Sequence, residues 1–226
     1  MMAASSGLLF FGSDMLDDSQ SIKLDDLLRP ALRNEFERRG FKEITPRKWV
    51  RSTKLPMREM ILFRAYGATY TIGWGIGLDF VPRLTNDRRF KWKRTEKSAW
   101  PDLAVWPEDE VFGEAWNQFV WVPGFECVSK ENLTKLIHRS ASEADRTFMQ
   151  VGNVEQLIGQ FDERDKRHYR LSPTFYPQHT LGRSLALRYV GRLAESDEWM
   201  ERFKHRVQNQ YDERFLARAI ASMDLA

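Results

Sequence analysis

Apolar residues recur along the chain with two different periods, and the change of period divides it. Over residues 21–39, Leu24, Leu27, Leu28, Leu32 and Phe36 fall three or four positions apart, the spacing that aligns side chains on one stripe of a helix. Ser21 suits the N-cap, Asp25 and Asp26 the positive end of the dipole, and Arg38 and Arg39 the negative end. Pro30 removes a backbone donor inside this pattern and predicts a kink or a division. Gly40 predicts a left-handed C′ position with Phe41 folded back on the last turn.

The period then shortens to two. Residues 49–53, 59–66 and 69–81 predict three strands and residues 90–95 a fourth. Gly67-Ala68 predicts a hairpin connection between the second and third, and Asn86-Asp87 a turn that pairs the third antiparallel with the fourth. Alternation puts Ile72, Trp74, Ile76, Leu78 and Phe80 on one face of the third strand, and Gly73, Gly75, Gly77 and Asp79 on the other. Three glycines on one face forfeit packing and cost backbone entropy. The bare strip therefore predicts close packing by a helix or a large aromatic, with a flat ligand or peptide backbone as the functional alternative. We expect the helical half of the chain to cover it. A dinucleotide-binding reading fails, because that motif is Gly-x-Gly-x-x-Gly turning from strand into helix, whereas this strand runs on to Pro82. Pro101 and Pro107 bracket a short extended piece, and residues 108–119 predict a short helix.

From residue 129 the helical period returns. Helices are predicted over 129–150, from Asn153 past Phe161, over 180–194, and over 196–221, where Trp199, Phe203, Val207, Tyr211 and Phe215 form a stripe. The expected class is α+β: an N-terminal helix plus antiparallel sheet, with a helical C-terminal half packed against it. Residues 1–20 are expected to be a flexible tail, 21–128 the sheet-containing region, and 129–226 a helical region sharing its core.

A chain of 226 residues with 42% hydrophobic content can bury a core without disulfides or metal. The single cysteine, Cys127, excludes a disulfide framework and any cysteine-cluster metal site. It precedes the helix at 129 and reads as a core cysteine rather than a nucleophile. No run of about 18 apolar residues could span a membrane. The apolar knot at residues 8–11 follows no Lys or Arg, so it is not a secretory signal, and a cytoplasmic location is expected.

The net charge of +3 conceals a strong asymmetry: residues 1–28 carry −4, residues 29–97 carry +11 and residues 98–128 carry −6. Either the acidic segment folds over the basic surface, or that surface stays open for an anionic partner. Its densest part is the ribbon Arg83, Arg88, Arg89, Lys91, Lys93, Arg94 and Lys97, at +5 over residues 83–97. Lysines alternating with Phe90 and Trp92 could pair phosphates and stack bases; the alternative is an edge strand whose lysines prevent pairing with other chains. The histidines 138, 168, 179 and 205 are scattered and read as surface or capping residues. No catalytic, cofactor-binding or metal-binding residue is assigned.

The opening helix with Gly40-Phe41-Lys42 and Trp49, the stretch from Trp74 to Pro82, and the run from Lys93 to Ala99 resemble a group of bacterial proteins of unknown function, over residues 21–105. That resemblance implies no activity and no catalytic positions. The expected function is non-enzymatic binding of another protein, in a defence, toxin-control or regulatory setting. Nucleic-acid binding through the 83–97 ribbon is the first alternative, and an enzyme with an unrecognised site near Asp79 the second.

Overall fold

Two strands buried on both faces, over residues 57–63 and 71–78, set the frame of the molecule. The computed structural model describes residues 29–66, 69–106, 118–120, 130–168 and 177–223. Strands β1 (Lys42–Thr45), β2 (Lys48–Lys54), β3 (Met57–Tyr66) and β4 (Thr69–Leu78) follow one another as antiparallel neighbours. The β3–β4 register is unbroken from Met57–Leu78 to Tyr66–Thr69. A short ribbon, β5 (Arg83–Leu84) with β6 (Phe90–Lys91), stands apart from the sheet. Strands β7 (Leu103–Val105) and β8 (Gln118–Val120) both pair with the free side of β4, at Trp74–Ile76 and Thr69–Thr71 respectively.

Helix α1 covers residues 29–38 and ends as the sequence predicts. Gly40 has φ +80°, the Gly40 N–H donates to the Glu37 carbonyl at 2.9 Å, and the Phe41 N–H donates to the Phe36 carbonyl at 3.0 Å, the paired bonds of a Schellman end. Residues 21–28 of the predicted helix lie outside the described residues, as do 1–20, Gly67-Ala68, Cys127 and most of the helix predicted over 108–119. Residues 118–119 of that helix are strand instead.

The C-terminal half contains α2 (Lys130–Met149), α3 (Val154–His168), α4 (Pro177–Tyr189), α5 (Leu193–Arg206) and α6 (Glu213–Ala221). Proline opens α4 where its missing N–H costs nothing, three residues before the predicted start. The helix predicted over 196–221 is two. Gln208 and Asn209 take φ of 52° and 54°, and the Asp212 side chain then caps α6 by accepting from the Phe215 N–H at 2.9 Å.

One face of the sheet carries Trp49, Ile61, Phe63, Ile72, Trp74, Ile76 and Leu78 into the core. Phe36 of α1 meets Trp49 edge-on with centroids 5.0 Å apart, and the Trp74 indole N–H donates to Thr147 of α2 at 3.0 Å. A single hydrophobic cluster runs from Leu32 through this face to Leu185, Phe203 and Leu216, so both halves share one core. The fold is α+β.

Candidate anion-binding face

The other face of β4 carries the glycines, and the chain fills it. A Cβ on Gly73 would overlap the Trp106 ring, one on Gly75 the Leu103 carbonyl and the Pro101 ring, and one on Gly77 the Trp100 carbonyl and Met60. The expectation that the helical half covers this strip is corrected: the cover is the extended segment 100–106, and helices α1 and α2 lie on the opposite face. Packing of an aromatic on the strip is what Trp106 supplies, and no groove for a flat ligand remains over Gly73, Gly75 and Gly77. Glycine is required here because backbone approaches backbone closely.

Asp79, after the strip, accepts both arms of the Arg58 guanidinium at 2.6 and 2.8 Å. Arg58 also donates to Ser52 Oγ and to the Arg94 carbonyl. The pairing predicted between the third and fourth strands does not form. The chain leaves β4 at Leu78, where the Val81 N–H turns back to the Leu78 carbonyl, and residues 90–91 pair with 83–84 instead. The strand predicted over 90–95 stops at Lys91 because Lys93 turns into the interior.

Lys93 therefore leaves the predicted surface ribbon. It is 1% exposed and forms an ion pair with Asp102, which is 2% exposed. Its ammonium also donates to the Trp100 carbonyl at 2.9 Å. Asp102 accepts from the Leu78 N–H and from Gln178 Nε2, both at 2.7 Å, and Gln178 accepts from the Leu84 N–H. Burial pulls the Lys93 pKa down and pushes that of Asp102 up, each opposed by the partner's charge. This network pins the end of β4, the β5–β6 ribbon and segment 92–102 to α4. The nearest sequence signal is the excess of bases just before an acidic segment, which does not say that one pair is internal.

The other six predicted cations stay at least partly accessible. Arg88, Arg89, Lys91, Arg94 and Lys97 are exposed and Arg83 is half-buried. Phe90 anchors the ribbon against Phe203, Tyr211 and Phe215, and Arg88 Nη1 donates to the Val207 carbonyl at 2.7 Å. Arg94 lies over Trp92, 3.9 Å from the ring centroid, and Arg83 over Trp100 at 3.5 Å. The acids beside them are Asp87, engaged by the Thr85 hydroxyl and 3.6 Å from Arg89, and Glu96, paired with Lys42.

Lys48 joins this face without having been singled out from the sequence. Its ammonium, at the start of β2, donates to the carbonyls of Lys97 and Ala99 at 2.8 and 3.2 Å. Burial lowers its pKa and the nearby Arg83 charge lowers it further, while burial alone lowers that of Arg83. The buried Arg83 Nε–H has no acceptor among the described residues. Nothing in the local pattern marks Lys48, because its neighbours here follow it by about fifty residues.

His138 and His179 contact different carboxylates. His138 is exposed and meets Glu35. His179, read from the sequence as a surface or capping residue, is buried: it contacts Asp165 at 2.9 Å and Phe161 edge-on. Among the described residues no group of three His, Cys, Asp or Glu side chains could hold a metal ion, and no helix is long and apolar enough to cross a membrane. No family model matches the chain, and neither the curated proteins nor the solved structures yield a match.

Proposed function

We propose that this protein binds single-stranded nucleic acid through the face formed by the β5–β6 ribbon, segment 92–100 and the start of β2. The observation that supports this reading is a contrast in how the arginines are used. Many of those elsewhere are locked to carboxylates, with Arg29 and Arg33 on Glu43, Arg39 and Arg51 on Asp145, Arg58 on Asp79, Arg183 on Asp162 and Asp165, and Arg192 on Glu195, whereas Arg202 lies over the Trp199 ring and Arg218 over Phe215. On this face Arg83 and Arg94 lie on tryptophan rings with no carboxylate partner among the described residues, beside exposed Lys91 and Lys97. Cations with neighbouring aromatic platforms hold phosphates and stack unpaired bases without needing a base sequence.

Titrating a fluorescent single-stranded oligonucleotide against salt tests the reading. Binding should weaken as salt rises, with a log–log slope of about −0.7 per phosphate contact. The double variant Arg94→Ala/Lys97→Ala should reduce both affinity and slope. Absence of binding at low salt overturns the proposal.

The protein-binding reading draws on another surface. Tyr189 stacks on Phe80 with centroids 4.5 Å apart, yet stays 46% exposed, and Leu193 at the start of α5 is 50% exposed. Purification of partners from the native cell with and without nuclease separates the two: partners that survive digestion favour this surface, and partners lost on digestion favour the cationic face.

A further inference from the structure

Within that face, we infer that Lys48, Arg83 and Trp100 form a seat for one phosphoryl group. The inference deepens the nucleic-acid reading and rests on it for the origin of the phosphate. Three observations meet at this corner. The Lys48 ammonium is held in place by two backbone carbonyls, those of Lys97 and Ala99, which fix its position without neutralising it. The Arg83 guanidinium lies over the Trp100 ring, 3.5 Å from its centroid, and its buried Nε–H has no acceptor among the described residues. No carboxylate among the described residues pairs with either cation; Asp79 and Asp102 are committed to Arg58 and Lys93.

Two like charges drawn together and partly desolvated oppose each other, and both of their pKa values are lowered. A dianion at the junction reverses both penalties at once. A phosphoryl group matches that need better than a carboxylate, because it offers two charges for two cations and acceptor oxygens for both a guanidinium fork and an ammonium. The phosphoryl group could be a terminal monoester, which carries close to two charges at neutral pH, or a phosphodiester of the oligonucleotide backbone, which carries one; both offer acceptor oxygens to the fork and the ammonium, and the monoester alone supplies a charge for each cation.

Inorganic phosphate, titrated at constant ionic strength against chloride, is the direct probe, with the Arg83 Nε–H and Trp100 indole N–H signals followed by NMR. Saturable shifts of both signals are expected. Lys48→Met should weaken phosphate binding at least tenfold, as should Arg83→Met, while Lys166→Met on α3 should leave it unchanged. Should Arg83→Met fail to fold, Lys48→Met alone decides, since its ammonium leaves a half-buried site that methionine can fill. Equal phosphate affinity in the wild-type protein and Lys48→Met overturns the seat, as does a wild-type titration that moves neither signal.

A second arm compares oligonucleotides with a 5′-phosphate and a 5′-hydroxyl. A 5′-phosphate advantage that disappears in Lys48→Met assigns a terminal group, and an equal loss for both assigns the backbone. Phosphate binding without oligonucleotide binding at low salt sinks the nucleic-acid reading and keeps the seat. Oligonucleotide binding that is unaltered in Lys48→Met, together with no phosphate response, sinks the seat and keeps the reading.

Discussion

Lys93 and Asp102 show how one buried pair decides what the neighbouring charges can do. Each ion loses hydration, and the other's charge, the Trp100 carbonyl, Leu78 N–H and Gln178 amide, with the Asp79 charge acting on Lys93, offset that loss. Asp102→Asn leaves the ammonium buried and uncompensated, and should cost about 3–5 kcal/mol in urea unfolding. The double variant Lys93→Met/Asp102→Asn should recover most of this, since methionine fills the volume and asparagine still accepts from Leu78. A double variant as unstable as the single would mean that the ion pair itself is indispensable. A second residue-scale expectation concerns acid. Burial pushes the Glu43 carboxyl up, but hydrogen bonds from Arg33 and Arg29, with their charges, outweigh it and hold the pKa below 4.5. A carboxylate depressed in the folded state contributes stability above its unfolded pKa, and that contribution is lost as pH falls through the folded value. Melting temperature should therefore drop below about pH 4.5, and Glu43→Gln should flatten that limb while lowering stability at neutral pH. An unchanged acid limb would remove Glu43 from the account. The charge count of the sequence exposed the basic excess, yet it could not separate Lys93 from Lys91, because two positions on a chain that stops being a strand no longer share a face.

At the scale of elements, periodicity was informative where one face is buried and misleading where a stripe crosses a break. The strip of Gly73, Gly75 and Gly77 was legible as a site of close approach, because bare backbone in a strand needs a near neighbour. What approaches was not legible: the covering segment 100–106 is extended and proline-bracketed, with no period of its own. Strand β1 left no alternation to read over its four residues. The predicted long C-terminal helix failed for the opposite reason. Phe203, Val207, Tyr211 and Phe215 keep a four-residue spacing through residues 207–212, so the stripe looks continuous although the backbone turns at Gln208 and Asn209. Asp212 then restarts the helix, and Asp212→Ala should cost about 1 kcal/mol. Hydrogen exchange should locate that loss in residues 213–221; a loss spread evenly over the chain would deny Asp212 its capping role. Because α6 carries Phe215 against Phe90 and Trp92, fraying of this short helix also loosens the β5–β6 ribbon.

Across the whole molecule, the two sides of the sheet do different work. Aromatic and aliphatic side chains join one side to α1 and α2 in a cluster shared by both halves, and Val50, Met60 and Ala99 form a smaller cluster within the sheet-containing half. The other side is closed by a single layer of chain, tied to the sheet through bonds such as the Asp102 N–H to the Ile76 carbonyl at 2.9 Å. Trp100 lies in that layer and supports Arg83, so the inner surface of the layer is structural while its outer surface is cationic. Opening this strap uncovers the glycines and disperses the cations in one motion. Occupancy outside and protection inside are thus thermodynamically linked: a polyanion gripping the exterior should slow amide exchange at Asp102 in proportion to its occupancy, making an amide beneath the surface a reporter of what the surface holds.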